Sequence, residues 1–168
     1  MDVEQLIDMH KDQLYRLCLY LEKNQDKADD LFQDTWVKAI ERLATYDKTK
    51  AFYPWLTQIA VNNYRDKLRR LKLEIKRRCY EPEAVIQDRK SEEESIESQL
   101  VHKEELQCVQ QALQRLGDKH RLPLILTMGE RMSYKEAGEI LDINEGLVKS
   151  RVYEARQKLK KLLEKEGL

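Results

Sequence analysis

Apolar residues recur along this chain at three- and four-residue steps, the spacing that places them on one face of an α-helix. The first periodic stretch runs from Val3 to Leu21 and ends at the polar segment EKNQDK. A second helix is predicted over about 28–43. A third extends to about Arg78, with Pro54 in its first turn, where the missing N–H costs no hydrogen bond.

The composition changes after this third helix. Residues 81–99 are rich in Glu and Ser and hold few large apolar side chains, which is typical of a flexible tether. The sequence therefore predicts an all-α protein of two small helical domains, 1–79 and 100–168, joined by a flexible linker over 80–99.

Helical periodicity returns in the second domain, from Leu100 to Leu116. A short apolar helix follows, with Pro123 predicted near its first turn. Ser133 then begins another short helix, and Glu136 three residues later completes a capping box. After a three-residue turn, a last helix is predicted over about 145–164. A short helix, a tight turn and a longer helix form a helix-turn-helix, whose second helix enters the major groove of DNA.

The outward face of the last helix supports this interpretation. On a helical wheel its buried face carries Val148, Val152, Ala155, Leu159 and Leu162. Small, polar and basic side chains lie on the other sides: Gly146, Lys149, Ser150, Tyr153, Glu154, Arg156 and Gln157. Gly146 permits close approach to DNA, and the lysines suit phosphates. A solvated basic helix is the alternative.

Charge is balanced over the whole chain, with 31 basic and 31 acidic residues, but it is unevenly distributed. Residues 65–78 hold 8 basic and 2 acidic side chains, and residues 146–165 hold 7 and 2. Two separate basic stretches indicate two contacts with a polyanion.

The second predicted helix has the opposite character. Its outward face, which we call the acidic face, carries three acids around one apolar residue: Asp30, Gln33, Asp34, Val37 and Glu41. Such a face repels DNA and suits a basic helix of a partner protein. A solvated surface explains the acids equally well, but it does not explain Val37.

The segment KAFYPWLTQIAVNNYRDKLRR gathers aromatic residues just before a basic helix. Leu56, Tyr64 and Leu71 are predicted to face the core, while Asn62, Arg65 and Arg69 form an outward stripe. The stripe suits unpaired bases and phosphates. The alternative is a hydrophobic staple at a helix start, followed by a solvated basic face.

Nothing in the sequence indicates catalysis, a metal site or a cofactor. The 3 cysteines, Cys18, Cys79 and Cys108, are far apart and lack CxxC spacing, which argues against a zinc site or a disulfide framework. No apolar run is long enough for a membrane span, and no signal peptide opens the chain. A cytoplasmic protein without membrane insertion is therefore expected.

Two quoted stretches resemble the extracytoplasmic-function (ECF, group 4) sigma factors of the sigma-70 family. ADDLFQDTWVKAIERLATYDKTKAFYPWLTQIAVNNYRDKLRR is similar to their region 2, and SYKEAGEILDINEGLVKSRVYEARQKLKKLL to their region 4. The resemblance implies a sigma subunit that binds bacterial core RNA polymerase and directs promoter-specific initiation. An anti-sigma factor is a further partner that it allows.

The resemblance also assigns roles to residues. It implies that the acidic face binds the clamp helices of the largest polymerase subunit. It assigns the −10 promoter element to a loop and the helix after it: Tyr46, Asp47, Lys48, Ala51, Phe52, Trp55, Asn62, Asn63, Arg65 and Arg69. Trp55 is also expected to pack the loop against the helix. It assigns the −35 duplex to the last helix: Glu145, Gly146, Lys149, Ser150, Arg151, Tyr153 and Arg156.

Some positions depart from the family pattern. Ala137 and Gly138 replace Ile and Ala in the first helix of the helix-turn-helix, which predicts looser packing there. Asp142 replaces the Gly of the turn, and Asp adopts the left-handed conformation more readily than most residues.

Two other functions fit the residues alone. One is a stand-alone helix-turn-helix regulator that binds a duplex operator and uses its N-terminal half for dimerisation or sensing. The other is a helical adaptor that binds only protein.

Overall fold

A computed structural model describes residues 2–79, 101–165 and 167. Regular structure in these ranges is helical throughout, as the sequence predicts. Seven α-helices follow one another along them: α1 (Val3–Leu21), α2 (Gln25–Glu41), α3 (Phe52–Arg78), α4 (Val101–Arg115), α5 (Asp118–Leu124), α6 (Tyr134–Leu141) and α7 (Glu145–Lys165). A 3-10 turn spans Leu43–Thr45, and one π-helical turn spans Ile125–Gly129. The predicted linker lies outside the described residues.

Helices α1, α2 and α3 pack together into what we call the N-terminal unit. Leu14, Leu17, Leu31 and Leu56 are fully buried where they meet. Burying each leucine contributes about 1.5–3 kcal/mol, so this core holds the three helices together. Helix α2 begins at a cap in which the Asn24 side chain accepts a 2.8 Å hydrogen bond from the backbone N–H of Lys27.

The last four helices form the C-terminal unit, in which α7 packs against α4, α5 and α6. Ser133 caps α6 by accepting a 3.1 Å bond from the N–H of Glu136. The side chain of Glu136 does not accept a bond from the Ser133 N–H in return, so only half of the predicted capping box is present. Asp142 adopts the left-handed conformation at φ 58°, as expected for the turn. Pro123 is the sixth residue of α5, so the prediction that it lies near the first turn is wrong. The reason is that Gly117 already serves as the N-cap.

The prediction of looser packing around Gly138 is also wrong. A Cβ atom added there would lie 2.6 Å from the carbonyl oxygen of Ile143, well inside van der Waals contact. The backbone of the turn therefore approaches α6 so closely that a side chain does not fit without a shift. The N–H of Ile143 donates to the Gly138 carbonyl at 3.0 Å, which fixes this close approach.

The prediction that Leu71 faces the core is wrong, since this residue is 46% exposed. Leu73 and Ile75 are exposed as well. The buried residues of α3 end at Tyr64, so the C-terminal part of the helix extends beyond the body that α1 and α2 form.

A polar cluster joins the two units. Arg121 of α5 is buried, and it donates to the carbonyl oxygens of Tyr20 at 3.1 Å and Leu21 at 3.0 Å, at the C-terminal end of α1. It also donates to Asp118 at 2.8 Å and to the hydroxyl of Tyr64. Burial raises the pKa of Tyr64 to about 12, so its hydroxyl stays protonated and donates to Asp118 at 3.0 Å. Arg121 thus satisfies carbonyls that the end of α1 leaves open.

A second polar contact between the units centres on Glu130. Its carboxylate accepts hydrogen bonds from the Tyr53 hydroxyl at 2.7 Å and from the Gln13 amide at 3.4 Å. Burial raises the pKa of Glu130 above its usual range. The N-terminal and C-terminal units are therefore docked on each other through buried polar groups.

Candidate polymerase and DNA interfaces

Helix α7 presents the two faces that its sequence predicts. Val148, Val152 and Ala155 are buried, and Leu159 and Leu162 pack against the core, which confirms the predicted buried face. The opposite side is exposed along the first three turns, with Tyr153 66% exposed. The residues exposed there include Glu145, Gly146, Lys149, Ser150 and Arg156. The surface predicted to read the −35 duplex is therefore exposed in the C-terminal unit.

Arg151 lies apart from the other α7 candidates. It is half-buried and lines a cleft between the two units, together with Arg65 and Arg69 of α3. Three basic residues predicted to contact DNA therefore line one cleft in the docked arrangement, although the family resemblance implies contacts with two separate promoter elements.

The acidic face is exposed on α2 over all five of its residues, Asp30, Gln33, Asp34, Val37 and Glu41. Val37 is 55% exposed, and the neighbouring Ile40 is exposed as well, which widens the apolar part of the surface. Asp34 forms a 2.9 Å ion pair with Lys67 of α3. An exposed apolar patch beside acidic groups suits an amphipathic basic helix.

The aromatic residues before α3 form a packed cluster around Phe52. The Phe52 ring lies 5.3 Å from that of Tyr46, 5.4 Å from that of Trp55 and 5.2 Å from that of His10. Tyr46 and Trp55 also contact each other, with ring centroids 5.2 Å apart. Trp55 thus packs the loop against the helix, as expected.

The loop over this cluster is a compact turn. The Asp47 carboxylate accepts from the backbone N–H of Thr49 at 3.0 Å and from its hydroxyl at 2.7 Å. These hydrogen bonds hold the pKa of Asp47 below its usual range. The Tyr46 hydroxyl donates to the carbonyl of Lys50. Lys48 and Ala51 stay exposed beside this turn, where a ligand can reach them.

The candidates for −10 contact on α3 differ in exposure. Asn62 and Arg69 are exposed, whereas Asn63 is buried and its side-chain oxygen accepts a bond from Lys38. Phe52 is buried in the aromatic cluster. Arg65 donates to the carbonyl of Leu141 at 3.3 Å, across the boundary between the units. In the docked arrangement, therefore, Asn62 and Arg69 are the open part of the stripe.

The sequence analysis missed the residues that join the two units. Arg121 precedes the apolar run LPLIL and directly follows Lys119 and His120, so it looks like part of a solvated basic stretch. Glu130 and Tyr53 gave no local sign of their contact either. A further missed contact joins His120 and Glu154, whose nearest side-chain atoms are 2.7 Å apart.

Within the described ranges, no group of three or more His, Cys, Asp or Glu side chains is arranged to hold a metal ion. No helix among the described residues is both long and apolar enough to cross a membrane.

Family comparisons match both units. Residues 6–74 match the model of sigma-70 region 2, and residues 106–159 match that of sigma-70 region 4. The ECF RNA polymerase sigma factor SigW of Bacillus subtilis is 30% identical over 94% of this chain and 87% of its own length. The ECF RNA polymerase sigma factor SigM of the same organism is 30% identical over 96% of this chain and 95% of its own.

Solved structures show the same arrangement of helices. The sigma factor RpoE of Bartonella quintana, in complex with the anti-sigma factor NepR, superimposes with a TM-score of 0.79 at 27% identity. The match covers 96% of each chain. CnrH, in complex with the cytosolic domain of CnrY, gives a TM-score of 0.70 at 26% identity over 96% of this chain and 87% of CnrH.

Proposed function

This chain belongs to the ECF sigma factors of the sigma-70 family, and we propose that its three exposed surfaces divide the work of promoter recognition. As a sigma factor it directs promoter-specific transcription by RNA polymerase. The observation that carries the assignment is the pair of family matches, in the family's order, on the two helical units. A stand-alone regulator would not need a region 2 match over residues 6–74.

The acidic face is the proposed docking site for the clamp helices of the largest polymerase subunit. Its exposed acids attract a basic partner, and Val37 with Ile40 supplies apolar area that desolvates on contact. Asp34 is tied to Lys67, so Asp30 and Glu41 are the acids most available for a new ion pair.

The exposed side of α7 is the proposed reader of the −35 duplex. Gly146 brings the helix start close to the phosphates, and Lys149, Ser150 and Tyr153 can reach base edges or backbone. Glu145 and Arg156 flank this surface. Arg151 joins them only when the cleft between the units opens.

The loop from Tyr46 to Ala51 and the exposed part of α3 are the proposed site for the −10 element. Inside B-DNA the base faces are stacked, so a flipped base becomes available only after the duplex opens. Lys48 and Asn62 are exposed and can contact the displaced strand. Phe52 and Trp55 support this surface from below, and Asn63 positions Lys38 behind it.

An anti-sigma factor is a further proposed partner. RpoE of Bartonella quintana was solved in complex with the anti-sigma factor NepR, and this chain shares its helical arrangement. We place the protein in the cytoplasm, where its polymerase and promoter would be found.

In vitro transcription tests the proposal directly. Core RNA polymerase plus this protein should start transcripts at discrete sites on genomic DNA, and sequencing their 5′ ends should yield two conserved elements. Core polymerase alone is the control. Random start sites, or no binding to core polymerase, would contradict the assignment.

A further inference from the structure

The docked units enclose a cleft of about 410 Å³, lined on one side by α3 and on the other by α5, α6 and α7. Its charged lining consists of five cations, Arg65, Arg69, Lys72, Lys119 and Arg151, and one carboxylate, Asp118. We call this the basic cleft. Like charges brought together in a confined space repel, so docking of the units is opposed here unless something neutralises them.

The single carboxylate cannot do this. Asp118 already accepts hydrogen bonds from Arg121 at 2.8 Å and from Tyr64 at 3.0 Å, so its charge offsets that of Arg121. Arg69 has a partner in Asp66 at 3.4 Å, but this ion pair is exposed and therefore weak. A net positive charge remains in the cleft.

Arg151 carries an unused hydrogen-bond donor. Among the described residues, its Nε is buried and lacks a hydrogen-bond partner. A buried donor without an acceptor is costly, and most such groups in proteins find one. A guanidinium group pairs bidentately with phosphate oxygens, which makes a phosphate group a fitting acceptor.

We propose that the basic cleft binds a small phosphate-rich anion of the di- or triphosphate class. The volume of the cleft lies within the range of small-molecule sites, of about 300–1,000 Å³. Several phosphate groups are needed to meet cations on both walls. Because the anion contacts both units, it binds the docked arrangement and stabilises it by mass action.

The bound anion also withdraws Arg65, Arg69 and Arg151 from DNA. This consequence rests on the proposed function, since it assumes that these residues contact the promoter. The binding itself does not, and it can be measured without polymerase or DNA.

Isothermal titration calorimetry of the full chain with inorganic tripolyphosphate, at constant ionic strength, tests the proposal. We expect saturable binding at one site. Lys72→Glu with Lys119→Glu should weaken it by about tenfold or more, because two cations of the cleft are reversed. Both lysines are exposed, and neither belongs to the proposed DNA or polymerase surfaces.

The matched control is Lys23→Glu with Lys27→Glu, which makes the same change in net charge on an exposed segment outside the cleft. Its affinity should stay within about twofold of the parent. Circular dichroism checks that both variants fold. If the cleft variant is unfolded, Lys72→Gln with Lys119→Gln takes its place. This variant should lose at least half as much binding free energy as the charge reversal was expected to lose.

Absence of saturable binding, or equal loss in the cleft and control variants, would overturn the proposal. A third arm uses a 16-base-pair duplex without promoter elements. The proposal is wrong if the parent protein binds this duplex but not tripolyphosphate, and if only the cleft variant binds the duplex more weakly. The cleft would then bind the phosphates of nucleic acid. These outcomes do not depend on whether the chain supports transcription.

Discussion

The guanidinium group of Arg121 donates to the carbonyl oxygen of Leu21 at 3.0 Å, so a residue of the C-terminal unit completes the end of the first helix of the N-terminal unit. The same group is fixed by Asp118 and Tyr64. One buried side chain therefore links α1, α3 and α5.

Replacing Arg121 by Ala should destabilise the docked protein. The substitution leaves two carbonyls of α1 without their donor and the Asp118 carboxylate without its countercharge, and loss of one member of a buried charged pair costs about 2–5 kcal/mol. Urea unfolding followed by circular dichroism measures the loss. Arg70→Ala, an exposed arginine on α3, is the control and should change the midpoint little. Equal stability of the two variants would contradict the role of Arg121.

Replacing Glu130 by Gln should change how stability depends on pH. Burial raises the pKa of the Glu130 carboxyl, so the folded protein binds this proton more tightly than the unfolded chain does. The free energy of unfolding should therefore fall as pH rises from the unfolded value of about 4.3 through the folded pKa.

The glutamine variant lacks this proton and keeps an oxygen that can accept from Tyr53 and Gln13. It should be more stable than the parent at neutral pH, with a flatter profile. Thermal melts at a series of pH values measure this. Glu139→Gln, at an exposed site on α6, should keep the parent profile. A parent-like profile for Glu130→Gln would show that Glu130 does not titrate as argued.

Asp30→Lys combined with Glu41→Lys should abolish binding to core polymerase and leave the fold intact. The two acids are exposed at opposite ends of the acidic face, and reversing them repels a basic helix. Asp34 is a poorer choice because its loss also breaks the pair with Lys67. A pull-down with core polymerase gives the result.

Glu4→Lys with Asp12→Lys reverses two exposed acids of α1 and serves as the control. If both double variants bind polymerase alike, the acidic face is not the docking site. If only the control loses binding, the partner lies on α1 instead.

Tyr153→Ala and Lys149→Ala should weaken binding to a −35 duplex, by about 1–3 kcal/mol for each side chain that reads a base. Thermal stability should change little because both side chains are exposed. Val152→Ala removes buried methyl groups and should show the reverse pattern, with lower stability and near-normal affinity for the folded fraction. Fluorescence anisotropy and thermal melts of the same samples separate the two effects. If Tyr153→Ala unfolds the protein, this face of α7 packs against the protein and is not available to bind DNA.

Asn62→Ala and Lys48→Ala should spare closed-complex formation and impair promoter melting, while a premelted template should restore part of the activity. Trp55→Ala should also lower thermal stability, because its ring packs on Tyr46 and Phe52. Permanganate footprinting of thymines near −10 on linear and premelted templates measures melting. If the Asn62 variant melts the promoter normally, the basic side of α3 is a solvated face and does not bind the −10 element.

The sequence was sufficient where local periodicity decided the structure. The buried face of α7 and the cap at Ser133 follow from residues a few positions apart, and both were predicted correctly. Leu71 was assigned to the core because it continues the wheel of α3, but a wheel cannot tell where the neighbouring helices end. Gly138 was misjudged for a similar reason, since the carbonyl it meets comes from a turn whose path the sequence does not specify.

The contacts between the units could not be predicted from local patterns. Tyr64 and Asp118 are separated by 54 positions and Tyr53 and Glu130 by 77. The helical wheel of α3 places Tyr64 toward the core, but no local pattern indicates which residues these side chains contact. Their importance arises only when the units dock. The roles of the site residues in binding polymerase and DNA remain predictions, and the experiments above test them.

The bond between Arg121 and Leu21 spans 100 positions of the chain, and this has a consequence for synthesis on the ribosome. At about 5–20 residues per second, Arg121 is added roughly 5–20 s after Leu21. From the time α3 is complete at Arg78 until Arg121 is added, the nascent N-terminal unit must hold the end of α1 with water in place of the arginine. A ribosome paused between Arg78 and Arg121 would therefore leave the unit undocked, with Arg65 of the stripe on α3 released from Leu141.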